Sequence, residues 1–164
     1  MSVLKKIFAA HRSDYTKDDL LALWTITGGV ARYVALLMDA HATDRQKMFS
    51  ALVELGKFDQ LRKLAEDDYA VFSGVALERY FYWKFVEDSD YTRMGGWWDR
   101  KGENEIDLVC EDESQGILDF YEIKREKSRI SIKDLKGKTE AFFAKNPTLK
   151  DRTVHCRGLA VEDM

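Results

Sequence analysis

Glu105, Asp107, Glu122 and Lys124 stand close together in the middle of the chain, in Glu105-Ile106-Asp107-Leu108-Val109-Cys110 and in Ile117–Lys124. The first segment alternates with period two, the pattern of a strand with one buried face. Glu111–Gly116 is a polar turn that would close it into a hairpin with the second. With Cys110 set opposite Ile117, Asp107 faces Phe120 and Glu105 faces Glu122. Alternate and directly opposed residues share a sheet face. Glu105, Asp107, Glu122 and Lys124 then lie on one side, and Ile106, Leu108, Tyr121 and Ile123 on the other. Clustered carboxylates repel unless a cation joins them. Mg²⁺ takes one or two carboxylates and completes its shell with water and phosphate oxygens. It acidifies bound water and neutralises charge on a phosphoryl oxygen. A lysine two residues beyond a ligand points the same way and can orient a water or stabilise developing charge. The same alternation also fits a solvated sheet face carrying exposed ion pairs.

The elements around this pair follow from periodicity. Asp14 or Thr16 can cap a helix over Lys17–Thr25, and Thr27-Gly28-Gly29 breaks it. A second helix spans Val30–Ala40, with Val30, Tyr33, Val34 and Leu37 on one apolar face. Asp39–Lys47 is a polar join. Met48–Leu64 is helical with an interruption near Gly56, and Glu66–Phe72 runs into a further helix. Gly74–Val86 is apolar on most sides and is expected to be buried. Tyr91–Asp99 reads as a strand, Arg100–Glu103 as a turn, and Ser131–Lys145 as a helix. That helix has Leu135, Phe142 and Phe143 inward and Lys133, Lys136 and Lys138 outward. Thr153–Leu159 is a last strand. The class is α/β, with a core of order αβββαβ behind an N-terminal helical segment.

The run Gly96-Trp97-Trp98-Asp99-Arg100-Lys101-Gly102-Glu103-Asn104-Glu105-Ile106-Asp107-Leu108-Val109, followed by Glu122-Ile123-Lys124, resembles the nuclease-like C-terminal domain of archaeal-type prokaryotic ATPases. That domain is of unknown function and is similar to the PD-(D/E)xK restriction-endonuclease-like superfamily. The resemblance covers roughly Tyr69 to Met164, with Ile106 where the motif has proline. It implies a restriction-endonuclease-like fold, Asp107 and Glu122 as Mg²⁺ (or Mn²⁺) ligands, and Lys124 as a catalytic residue. It also implies Glu78, on the helix before the strands, as a further ligand. The segment LLALWTITGGVARYVALLMD resembles the lid of the same ATPases. Two domains are therefore expected, a lid-like helical segment over 1–47 and a nuclease-like domain over 48–164. The phosphate-binding loop and the winged-helix segment of those ATPases have no counterpart here, so no ATP hydrolysis is expected from this chain alone. Gly137-Lys138-Thr139 lacks the first glycine such a loop needs and reads as helix.

A net charge of −3 excludes a strongly basic nucleic-acid coat. Within it, Lys124–Lys138 carries seven basic residues against Glu126 and Asp134. This stretch is a solvated helix face or a phosphate-contacting surface. In the second case Arg125, Lys127 and Arg129, extended by Arg93, Arg100 and Lys101, would touch DNA. Trp97 and Trp98 point to opposite sheet faces, one toward core and one toward solvent. Cys110 and Cys156 form no metal-binding pair with the three scattered histidines, and His155 reads as half-buried. No apolar run approaches the ~20 residues of a membrane span, and a reducing cytoplasmic location is expected. The expected function is Mg²⁺-dependent phosphodiester hydrolysis on DNA. The alternative is an inactive module that binds DNA or docks an ATPase, with the N-terminal helices as the surface for a partner or a second copy.

Overall fold

The computed structural model describes residues 2–56 and 59–164. The chain divides into two compact units, Met1–Tyr80 and Phe81–Met164.

The first unit holds α1 (Ser2–His11), α2 (Lys17–Thr27), α3 (Ala31–Asp39), α4 (Arg45–Gly56) and the larger part of α5 (Asp59–Asp88). Thr16 caps α2. Its hydroxyl accepts the Asp19 N–H at 3.1 Å, and Asp19 accepts the Thr16 N–H at 3.0 Å. The other oxygen of this buried carboxylate accepts the Arg45 N–H at 2.9 Å, so one acid secures the starts of α2 and α4. α2 runs two residues further than its periodicity predicts, to Thr27. Gly28 ends it in the left-handed conformation (φ +57°), and its N–H closes on the Trp24 carbonyl at 2.8 Å. Phe8, Leu20, Leu21, Leu23, Leu37 and Met48 form the interior. The Trp24 indole N–H, buried with them, donates to the Ala76 carbonyl at 2.9 Å.

Two expectations for these helices are corrected. Val34, Leu37 and Met38 are the inward stripe of α3, at spacing i, i+3, i+4, while Val30 and Tyr33 are about half exposed. Val30 is the N-cap and lies outside the helix. The segments around Glu66–Val86 belong to one helix, α5. Leu77, Tyr80 and Phe81 are buried, whereas Val75, Trp83 and Val86 are exposed. Apolar residues on most sides of Gly74–Val86 point to substantial burial, but among the described side chains the covered ones follow one 3.6-residue stripe. The interruption expected near Gly56 adjoins residues 57 and 58, which lie outside the described residues.

The second unit contains the end of α5, a four-stranded sheet and a crossover helix. The strands are β1 (Arg93–Trp98), β2 (Glu105–Asp112), β3 (Ile117–Ile123) and β4 (Thr153–Leu159), in spatial order β1-β2-β3-β4. The first two pairings are antiparallel and β3–β4 is parallel. A parallel pair needs a crossover, which α6 (Ile132–Lys145) supplies. Ser131 caps α6 by accepting the Asp134 N–H at 3.2 Å. The order from α5 onward is therefore αβββαβ, with α6 on one sheet face. There Ile106, Leu118, Phe120, Leu135 and Phe142 form the core, with Trp97 edge-on to Phe142. Trp98 points out to solvent, as alternation requires. Phe85 at the end of α5 packs against Tyr91 and Tyr121 on the opposite face.

Gly158 stands in register with Glu122, and Ile130 lies over it. A Cβ at 158 would fall 2.5 Å from Ile130 Cγ2. Gly158→Ala is expected to push Ile130 outward, and with it the start of α6. The expected cost is about 1–2 kcal/mol in denaturant unfolding, and an unchanged midpoint would contradict this close approach.

Candidate active site

The site is built around an irregularity in β2. Gly95 pairs with Val109 and Trp97 with Ile106, so Gly96 alone stands opposite two residues, Asp107 and Leu108. This is a β-bulge, which bends a strand and re-aims side chains. A Cβ at position 96 would lie 3.4 Å from the Asp107 carbonyl, an ordinary van der Waals contact with the bulged backbone. The bulge has two effects. It turns Ile106 toward Phe120 and Leu118, not toward Leu108, Tyr121 and Ile123 as strict alternation predicts. It also carries Glu105, exposed at the strand start, off the face of Glu122.

The pairing of β2 with β3 is corrected as well. Leu108 faces Tyr121 and Asp112 faces Ile117, a register two residues from the expected one. An even shift leaves the faces unchanged, so Asp107 and Glu122 still meet. The ladder stops at Leu108–Tyr121. Beyond it the Asp107 side chain takes the place of a backbone acceptor, and the Ile123 N–H donates to Asp107 Oδ2 at 2.6 Å. Lys124 Nζ reaches the same oxygen at 2.9 Å, and the Lys124 backbone N–H donates to the Leu159 carbonyl at 3.0 Å. Glu122 accepts the Ser131 N–H on Oε2 at 3.1 Å. Its Oε1 lies 3.9 Å from Lys124 Nζ and 3.6 Å from Lys138 Nζ.

The Asp107 and Glu122 side chains are each 9% exposed, whereas Lys124 and Lys138 are 35% and 25% exposed. Two buried carboxylates thus converge on ammonium groups that retain access to solvent. Buried carboxylates require such compensation. Lys138 was expected to point outward with Lys133 and Lys136, which do so. Its long stem instead brings the ammonium back from α6 to Glu122, a reach that helical spacing does not reveal. Gly137-Lys138-Thr139 lie inside α6.

The other candidates are placed as follows. Glu78 belongs to α5, within the first unit. Arg100 and Lys101 are exposed in the β1–β2 turn. Asp99 shapes that turn by accepting the Lys101 and Glu103 N–H groups at 3.1 and 2.9 Å and the Asn104 amide at 2.7 Å. The Asn104 contact above all holds the Asp99 carboxyl below its usual range. Lys127 and Arg129 flank the 3-10 turn after β3 and are exposed. Lys127 lies 3.5 Å from Asp163 and Arg129 lies 3.4 Å from Glu126. Arg125 is half-buried.

Asp107 and Glu122 form a hard-oxygen donor pair suited to an ion that keeps water and substrate oxygens in its shell. Among the described residues, no group of three or more His, Cys, Asp or Glu is placed to hold a metal ion. Any ion held here would have this pair as its protein donors and would take the rest of its shell from water and substrate.

A second cluster, on the opposite face of β3, was not anticipated. Asp119 is buried and accepts the Tyr91 hydroxyl. His155 Nδ1 lies 2.8 Å from Asp119 Oδ1 and Arg157 Nη2 3.8 Å. An acid flanked by Leu118 and Phe120 on a central strand was the available sign. Cys110 lies opposite Asp119, fully buried, and burial pushes its thiol up to about 12.

Residues 47–136 match the family model of archaeal and bacterial proteins of unknown function, DUF234. The match takes in α4, α5, the three antiparallel strands and the start of α6, more than half of the sequence. The chain belongs to the DUF234 family. No curated protein and no solved structure matches it. Among the described residues, no helix of this DUF234 chain is long and apolar enough to cross a membrane.

Proposed function

We propose that this DUF234 chain hydrolyses phosphodiester bonds in DNA with Mg²⁺ or Mn²⁺ as its cofactor, as a PD-(D/E)xK nuclease would. The carrying observation is the Lys124 ammonium set between two buried carboxylates, Asp107 and Glu122, at the end of a bulged antiparallel pair. Asp107 and Glu122 would hold the ion. When bound, it supplies charge neutralisation at the phosphoryl group and acidification of water. Asp107 is fixed by the Ile123 N–H and Glu122 by the Ser131 N–H, so neither depends on the ion for its orientation. Lys124 stays partly exposed and can hold a water or a phosphoryl oxygen through its N–H donors. Arg100, Lys101, Arg125, Lys127 and Arg129 would contact the DNA backbone, which makes binding fall steeply with salt.

Mn²⁺ titration by calorimetry of the wild type and Asp107→Asn tests this reading. The wild type is expected to bind. Asp107→Asn is expected to bind at least about tenfold more weakly, since even outer-shell partners of a metal commonly contribute that much. Equal binding by the two proteins would remove Asp107 from the site.

One observation favours a second reading. Each carboxylate already has a lysine within the unit, so the cluster is charge-balanced without a metal. That arrangement suits an inactive module that binds DNA or docks an ATPase. A folded wild type that binds no Mn²⁺ would select it.

A further inference from the structure

We infer that Lys138 is a cation-displaced substrate residue: it occupies Glu122 while no metal is bound and moves to a phosphate oxygen of the DNA once a divalent ion takes that carboxylate. The inference rests on the metal reading proposed above and goes beyond it in giving a role to a residue on α6. Lys138 Nζ lies 3.6 Å from Glu122 Oε1, the oxygen also nearest Lys124. Glu122 Oε2 is held separately by the Ser131 N–H at 3.1 Å. Loss of Lys138 from Oε1 therefore leaves the carboxylate oriented. A divalent ion and an ammonium compete for the same oxygen and repel each other at this separation. The Lys138 side chain is one-quarter exposed, so it keeps partial access to solvent while it reaches from α6 to Glu122. Once displaced, the ammonium lies within one side-chain swing of the anion that the metal attracts, a non-bridging oxygen of a phosphodiester. Lys133 and Lys136, on the same helix, are exposed.

Lys138→Met separates this role from a static ion pair. Mn²⁺ calorimetry is expected to show binding about threefold to tenfold tighter in Lys138→Met, because a competing, partly exposed charge is gone. DNA affinity is then read by anisotropy on a short labelled duplex, in Lys124→Met and in Lys124→Met/Lys138→Met, so that the duplex stays intact. Adding Lys138→Met should weaken binding about fivefold with Mn²⁺ and reduce the salt slope by about one. In EDTA it should change affinity less than about twofold. Lys138→Arg should retain DNA affinity in Mn²⁺. A static ion pair also predicts tighter Mn²⁺ binding in Lys138→Met, but no loss of DNA affinity that depends on the metal. An equal loss of DNA affinity with and without Mn²⁺, no loss in either, or Mn²⁺ binding unchanged or weaker in Lys138→Met would overturn the inference while the metal reading stands. Absence of Mn²⁺ binding in the wild type would remove both.

Discussion

Under the nuclease reading proposed above, Lys124→Met is expected to lower DNA cleavage by about a thousandfold, with the fold retained and Mn²⁺ binding preserved or strengthened. The magnitude is that of removing one positioned donor from developing charge, about 3–4 kcal/mol. Retention of fold follows from the other contacts of both acids. Asp107 keeps the Ile123 N–H at 2.6 Å, and Glu122 keeps the Ser131 N–H and Lys138. Methionine preserves most of the apolar stem, so the change removes charge more than volume. Single-turnover cleavage with Mn²⁺ saturating is the measurement, beside thermal unfolding and the metal titration. A rate within about threefold of wild type would show that Lys124 contributes nothing specific to the transition state. Loss of activity together with loss of metal binding would assign Lys124 to organising the carboxylates, not to acting on the substrate.

The sequence made the pairing of Asp107 with Glu122 and Lys124 legible because alternation is robust to an even register error. The hairpin closes two residues later than expected, at Asp112–Ile117, yet each side chain keeps its face. Alternation could not reveal the bulge. Gly95-Gly96 in β1 is the only local sign of it, and glycine in a strand has several uses. The bulge separates Glu105 from the group and aims Asp107 at the Ile123 N–H. Lys138 escaped for a different reason: helical spacing fixes where a Cβ points, not where a four-carbon stem ends. The exposed side of α5 escaped because apolar composition without a partner element does not say which stripe is covered. The αβββαβ order and the opposite fates of Trp97 and Trp98 rest on local rules and follow from the residues directly, while the choice of Thr16 over Asp14 as the α2 cap comes from the structure.

Asp119→Ala is expected to destabilise the protein by about 2–3 kcal/mol, roughly a 5–10 °C fall in melting temperature. Asp119 lies 4% exposed on a central strand and is the acceptor on which three side chains converge. Removing the acceptor leaves the Tyr91 hydroxyl without its carboxylate, beside a Tyr121 hydroxyl 2.9 Å away. Its main cost is that of a desolvated donor, since His155 and Arg157 are exposed enough to rehydrate. Asp119→Asn should cost less, because the amide oxygen still accepts from Tyr91. The cluster also sets an alkaline limb of stability. Burial first, then the bonds to Asp119 and Tyr121, hold the Tyr91 phenol well above its usual value of 10.0. A raised folded-state value means that the folded form retains the proton where the unfolded chain loses it. The contribution is therefore whole below about pH 10 and declines as pH rises beyond it. Urea midpoints between pH 8 and about pH 11 should fall in the wild type and fall less in Tyr91→Phe. Parallel curves for the two proteins would show that Tyr91 does not carry this limb, and that the network joining the lead-in to β1 with β3 and β4 draws its stability from packing around Phe85.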